Sequence, residues 1–510
     1  MANDAAIVAD LKKIQGIASK PGVQFMPGKA YLGSSIMLQP GGRYAYPIDV
    51  YVREINIHEN IYKEGILGYL EMVDSWNLIR NGIILGQELL YLKFCTAGAE
   101  VAGIERQWSV DFSKLPLQVY KVTDLTDNPN PDATSSTNTL FYRLHFCSPE
   151  LLKNDRIRIS QTMQGTVKDV VSNTLKTHLK TTKNLEIEET SDLKKYVVPN
   201  LHPFDFIKRL KSVAQKEVPK VATNPHKDVP SQPTLFKGRL TDFQFWETTR
   251  GYKFLPVIRP EEDSQLTLAV SDPVLGNYHL QMMTVLKHTY IKHGDTFGSI
   301  KEGAWGSKQI NHNAYTKSVK TYQSNYLRSL AENRYSHVSK TPVYDDKERR
   351  KISDWPDSKL NLHSFTGTAK HTNILKTPAK TGENFNTPWV PMPAEASMQR
   401  EMQTRHPLNY DQLAITVNGM SILETGMIVR LDLPDIGEGS GAIDKRAPGW
   451  ENRLDNIWII TSLKHIIGLP ENNYRCELVL SNTMAHTAKE LPVYEAPGGR
   501  PYQGLVGGPR

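Results

Sequence analysis

Apolar residues recur at every second position in two separate blocks of this chain, and that period decides most of what it can become. In the first block, residues 35–160, Ile48, Val50 and Val52 fall on one face, after which the apolar parity moves to Ile55 and Ile57. A one-residue change of parity predicts a bulge at Arg53-Glu54. Further strands are predicted over 68–73, 89–95, 117–121 and 139–146, the last two separated by the turn-rich insert TDLTDNPNPDATSSTN. The second block starts at Leu413, where Leu413, Ile415 and Val417 alternate. It continues through Met427, Val429, Leu431 and Leu433, the apolar run NIWIITSLKHII, and Tyr474, Cys476, Leu478 and Leu480. Short strands punctuated by turns predict antiparallel barrels or sandwiches.

Between the blocks the period becomes helical. Thr166 with Asp169 three residues on forms a capping box, and Val167, Val170, Val171, Leu175 and Leu179 line one face behind it. A second helix is predicted to open at Pro203, where a missing N–H costs nothing. Phe206, Ile207, Leu210, Val213 and Ala214 form its apolar side. Then comes DFQFWETTRGYKFLP, with five aromatics: Phe243, Phe245, Trp246, Tyr252 and Phe254. It reads as a hairpin with Gly251 supplying a positive φ. Phe243, Phe245, Tyr252 and Phe254 are expected to cover the helix from Pro203. The other face, Trp246 and Leu255, would in an oligomer meet a neighbouring subunit rather than water.

Charge excludes little. There are 61 basic and 54 acidic residues, net +7, without the dense basic patch of a nucleic-acid reader; the run Lys347–Lys351 reads as a solvated loop. No apolar stretch nears the roughly 20 residues of a membrane span, and the N-terminus lacks the apolar centre of a signal peptide. Ile7, Leu11 and Ile14 suggest instead a short amphipathic helix. Cys95, Cys147 and Cys476 lie far apart inside apolar runs, as small buried hydrophobes do. From Met282 to about Ser339 the pattern is mixed: HLQMMTVLKHTYI reads as a strand and TKSVKTYQSNYLRSLAENR as either extended or helical. Residues 340–405 are polar and aperiodic, and 491–510 rich in Gly and Pro.

Chemistry has no positive signal. GEGSG at 437–441 joins β elements and lacks the helix and lysine of a phosphate-cradling loop. His288, His293, His363 and His371 are scattered without ligand spacing. Glu59, Asp74 and Glu88 stand among apolar strands, where two could act as acid and base; their spacing gathers no two of them on one cleft, and ending strands, bonding backbone or facing solvent explains them better. No catalytic, cofactor-binding or metal-ligating residue is assigned, and no cofactor is expected.

Several segments, in order, resemble the central baseplate hub proteins of contractile-tailed, T-even-like phages, related to the hub part of type VI secretion spike proteins. They are Glu59–Ile61, Asp74-Ser75 and Gly86-Gln87-Glu88 within INIHENIYKEGILGYLEMVDSWNLIRNGIILGQELLYLKF, then LFYRLHFCSPELLKNDRIRIS, the helix from Thr166, VVPNLHPFDFIKRL, FQFWETTRGYKF, FGSIKEGAWGS, GMIVRLDLP, DNIWIITSLKHII and YRCELVLSN. The resemblance covers residues 48–485 with gaps at the two polar inserts; the acidic residue common after EGAWGS is replaced near Asn311-His312. It implies an α+β, mainly β fold: two tail-tube-like antiparallel β barrels joined by a small α+β unit, with long polar arms. The implied division is an N-terminal arm (1–34), first barrel (35–160), α+β connecting domain with the aromatic hairpin (161–275), second barrel (276–339 and 406–490), extended arm (340–405) and tail (491–510). The implied role is a non-enzymatic virion protein: a homotrimer adapting the sixfold tail tube to a threefold spike around a channel for genome ejection. Its partners would be itself, a separate spike protein, tube or tube-initiator proteins, baseplate wedge or hub-surrounding proteins, and DNA in passage, with no stable membrane insertion. It would be assembled in the host cytoplasm. The alternatives are a spike component of a bacterial contractile secretion system, or a hub-associated protein that degrades cell wall.

Overall fold

In the computed structural model the described residues are 26–41, 43–100, 108–127, 139–190, 194–217, 239–240, 242–257, 266–269, 281–293, 306–313, 318–325, 408, 411–432 and 457–482. The expected N-terminal helix, the GEGSG loop, the arm at 340–405, His363, His371 and the tail lie outside them.

Both alternating blocks build one 13-stranded sheet. Its strands are β1 (Met37–Gln39), β2 (Tyr46–Pro47), β3 (Val52–Asn60), β4 (Leu67–Asp74), β5 (Leu89–Tyr91), β6 (Leu117–Asp127), β7 (Leu140–Cys147), β8 (Leu266–Ala269), β9 (Val285–His293), β10 (Asp411–Asn418), β11 (Ile428–Asp432), β12 (Ile457–Gly468) and β13 (Asn473–Asn482). The spatial order is β9-β10-β13-β12-β3-β4-β7-β6-β5-β1-β2, with β11 pairing β12 and β8. The molecule is mainly β, and this curled sheet is its frame. The seam between the blocks is antiparallel pairing of β12 with β3, from Ser462↔Asn60 to Gly468↔Glu54.

The period-two faces go where alternation sends them. Ile55, Leu70, Leu144 and Phe146 from the first block and Leu413, Ile415, Leu463 and Leu478 from the second are buried in one continuous core. The bulge falls where the parity changes, between Val52 and Glu54. Two expectations fail. Asp49–Tyr51 is a short 3-10 turn, so Val50 points out and is 84% exposed. The strand expected over 89–95 breaks at Leu92: Leu89–Tyr91 joins the large sheet, while Lys93–Thr96 pairs with Ala30–Leu32. Alternation alone cannot show that a chain has passed from one sheet to another. The segment at 318 resolves as a strand, Ser318–Asn325, pairing Gly306–Asn313.

The helices are α1 (Pro149–Arg156), α2 (Val167–Asn173) and α3 (Pro203–Lys211). Thr166 and Asp169 close the capping box, and Pro203 occupies the first turn of α3. The predicted faces of both helices are buried together with Phe243, Phe245, Tyr252 and Phe254 in a second core. Phe245 stacks on Tyr252 with ring centroids 5.5 Å apart, and Phe204 of α3 lies 5.5 Å from Phe245. The hairpin (Phe243–Thr248 with Gly251–Pro256) is buried along its whole length, and its second strand also pairs in parallel with Leu185–Ile187. Gly251 has φ +139°, and a Cβ there would sit 2.3 Å from the Asn184 carbonyl oxygen. Gly251→Ala should therefore cost on the order of 2 kcal/mol, read as a fall in urea midpoint at unchanged m-value.

Candidate functional site

The structure gathers none of the candidate acids into a cleft; it spends them on backbone. Glu59 is buried in β3 and accepts from Thr249 N (2.6 Å), Thr425 N (3.0 Å) and Thr425 Oγ1 (3.2 Å). Asp74 accepts from Trp76 N (2.8 Å), Leu78 N (2.6 Å) and Tyr142 Oη (3.2 Å). Glu88 accepts from the amides of Leu85, Gly86 and Gln87. Asp74 and Glu88 thus pin the two ends of the 75–88 loop, whose Leu78 and Ile84 enter the main core. All three cysteines are buried. Burial pushes the Cys147 and Cys476 thiols up to about 12. His465 Nδ1 is 3.4 Å from Cys476 Sγ, but burial takes this imidazole down to about 3. A neutral thiol beside a neutral imidazole has no thiolate to attack with. Among the described residues no group of three or more His, Cys, Asp or Glu could hold a metal ion.

The outward face of the hairpin corrects the sequence reading most. Trp246 and Leu255 meet neither water nor another subunit. They pack within the chain on Ile61, Val257, Leu408 and Ile459, and Trp246 Nε1 donates to the Thr425 carbonyl at 3.3 Å. The hairpin is therefore a joint, with one face on the helices and the other on the sheet.

Two buried ionic clusters flank that apolar contact. In the first, Lys183 Nζ lies 2.6 Å from both Glu150 and Glu247, all three side chains no more than 7% exposed. Glu247 also accepts from Ile66 N, between β3 and β4, at 3.1 Å. Burial works to lower the lysine and raise Glu150, but the opposite charges prevail: Lys183 titrates above its ordinary value and Glu150 below. In the second, Lys253 Nζ is 2.7 Å from Glu424 and 3.2 Å from Glu186, while Arg250 Nε is 4.0 Å from Glu424. Burial acts to raise Glu424, and Lys253 and Arg250 overcome it and hold the carboxyl low. Glu59 has no such cation, and burial raises it to about 7. Sequence reading missed Lys183, Lys253 and Glu424. The available signal was a charge in an apolar run: Lys253 in GYKFLP and Glu424 in SILETGMIV.

The other notable surface is the end of the sheet. Strand β9 pairs only β10 among the described residues, and beyond Val285, which enters the core, Leu286 through Ile291 are all exposed. Leu286, Tyr290 and Ile291 are 56, 51 and 54% exposed. Lys287, His288 and Lys292 share this strand, which carries no acid. No described helix is long and apolar enough to cross a membrane.

No protein-family model matches the sequence, and no curated protein matches it. Solved structures similar to this chain are phage tail proteins and type VI secretion components. A 43 kDa tail protein of a Shewanella oneidensis prophage is 9% identical with a TM-score of 0.45, over 88% of this chain and 98% of that one. A tail protein of Neisseria meningitidis is 9% identical with a TM-score of 0.44, over 88% and 96%. An Escherichia coli type VI secretion component, described as structurally similar to phage T4 tail proteins, is 10% identical with a TM-score of 0.37, over 92% and 81%.

Proposed function

We propose that this chain is a structural subunit of a contractile phage tail, the central hub of its baseplate. Three copies close into a ring that meets the sixfold tube on one side and a threefold spike on the other, around a channel for the genome. The two β blocks, divided at 35–160 and at 276–339 with 406–490, supply two tube-like barrels per copy. A trimer then presents six similar units to a hexameric ring. The arm at 340–405 and the tail dock neighbouring baseplate proteins. No catalysis is assigned.

The observation that carries this reading is β9. An isolated protein whose described sheet ends on a strand with the large side chains of Leu286, Tyr290 and Ile291 half exposed presents a site for aggregation. In a closed ring the same strand is covered. The ordered sequence resemblance supports the class, and the buried carboxylates Glu59, Asp74, Glu88, Glu150, Glu247 and Glu424, spent on backbone or cations, fit a role without chemistry.

Light scattering and electron microscopy of the purified protein test it. The expected result is a threefold ring with an open channel. Leu286→Lys with Ile291→Lys should shift it to monomer without changing the urea midpoint of the subunit. A compact wild-type monomer at high concentration, alone and with its spike, would overturn the reading.

A further inference from the structure

The hairpin joint carries more charge than its neighbours neutralise. Three carboxyls meet there, Glu59 of β3, Glu424 of the turn before β11, and Glu186 beside the hairpin, against two cations, Lys253 and Arg250. Both cations are engaged by Glu424 and Glu186. Glu59 has only neutral donors, from the tip of the hairpin at Thr249 and from the turn at Thr425. One proton on Glu59 brings the group to neutrality. A candidate acceptor for it is Thr249 Oγ1, on the residue whose amide donates to Glu59, which is buried without a hydrogen-bond partner among the described residues.

We propose that the seat of the α+β unit on the sheet is linked to a proton: Glu59 holds one when the hairpin is seated and releases it to solvent when the hairpin lifts. Seating is then favoured below neutrality and weakened above it. The sign follows from burial, which raises the seated carboxyl from its usual 4.5 to about 7. The seated state binds the extra proton, so its advantage is complete at low pH and is lost as pH rises towards 7. The other groups facing this carboxyl do not titrate in that window. Burial and Lys464 lower His58 to about 4, and burial lowers His465 to about 3. Tyr474 is pushed well above its usual value and Cys476 up to about 12, both by burial. Glu424 is held low by Lys253 and Arg250; Lys253, Arg250 and Glu186 complete this cluster, and in the other cluster at the joint Lys183 stands between Glu247 and Glu150 and holds Glu150 low.

Hydrogen exchange of the hairpin amides, corrected for the intrinsic pH dependence of exchange, reads the opening equilibrium directly. Between pH 6 and pH 8 the wild-type opening constant should rise about tenfold, while amides of β12 and β13 stay level. Glu59→Gln, which cannot titrate, should abolish the rise. Should that variant fail to fold, Thr249→Val removes the acceptor for the proton and should move the rise to lower pH. An opening constant that is flat in wild type, a rise that persists in Glu59→Gln, or one unmoved in Thr249→Val would each overturn the proposal.

Discussion

Lys183→Met should destabilise the protein by about 3–5 kcal/mol, because it leaves two carboxylates buried without a cation. Among the described residues Lys183 is the one cation that pairs Glu150 and Glu247, whose side chains are 6 and 1% exposed. Methionine keeps most of the volume, so the loss reports electrostatics rather than a cavity. Acid is the control that isolates the cause. A carboxylate stranded in the interior is relieved by protonation, so the deficit should shrink as urea titrations move from pH 8 to pH 5. The companion Lys183→Met, Glu150→Gln, Glu247→Gln should recover much of the loss, since the amides still accept from Thr181 Oγ1 and Ile66 N. A deficit independent of pH would mean that the cluster packs but does not pair.

The second large effect is Trp246→Ala, expected to cost about 3–5 kcal/mol of subunit stability. Trp246 is among the largest fully buried side chains, and the chain has made room for it. Gly426, at φ +86°, passes so close that a Cβ there would lie 2.6 Å from the indole. The hole left by alanine therefore has a rigid wall on one side and cannot collapse. Because the contact lies wholly within the chain, the loss should appear in the subunit's unfolding midpoint and leave its association state unchanged at equal folded concentration. Trp246→Phe should recover part of it.

How much of this was legible follows from what each signal encodes. Side-chain period reports which face is apolar, so most of the strands, the bulge after Val52, the cap at Thr166 and the packing of Phe206 and Ile207 under the hairpin could be read, while the turn at Val50 and the break at Leu92 could not. Period does not report partners. Nothing in the alternation of EINIHEN along β3 names β12 as its neighbour, and so the fusion of the two blocks in one sheet was out of reach. The second face of the hairpin failed for a related reason. Trp246 and Leu255 look the same from sequence whether they meet a sister subunit or a distant part of their own chain. The joint was hidden by rule rather than by noise: Lys183, Lys253 and Glu424 belong to types almost never fully buried unless paired, and pairing is a property of three dimensions.

The β3–β12 seam also sets a timetable for biosynthesis. Asn60 and Ser462 are partners separated by about 400 residues, which a ribosome adding about 5–20 residues per second takes on the order of 20–80 s to make. Throughout that time one side of β3 has no strand to receive it. The first block, although its own strands leave the ribosome early, cannot complete its sheet until residues 462–468 have been made. A nascent chain stalled before residue 457 should thus be chaperone-bound and protease-sensitive even in its first block, and release of β12 and β13 should protect both blocks in a single step.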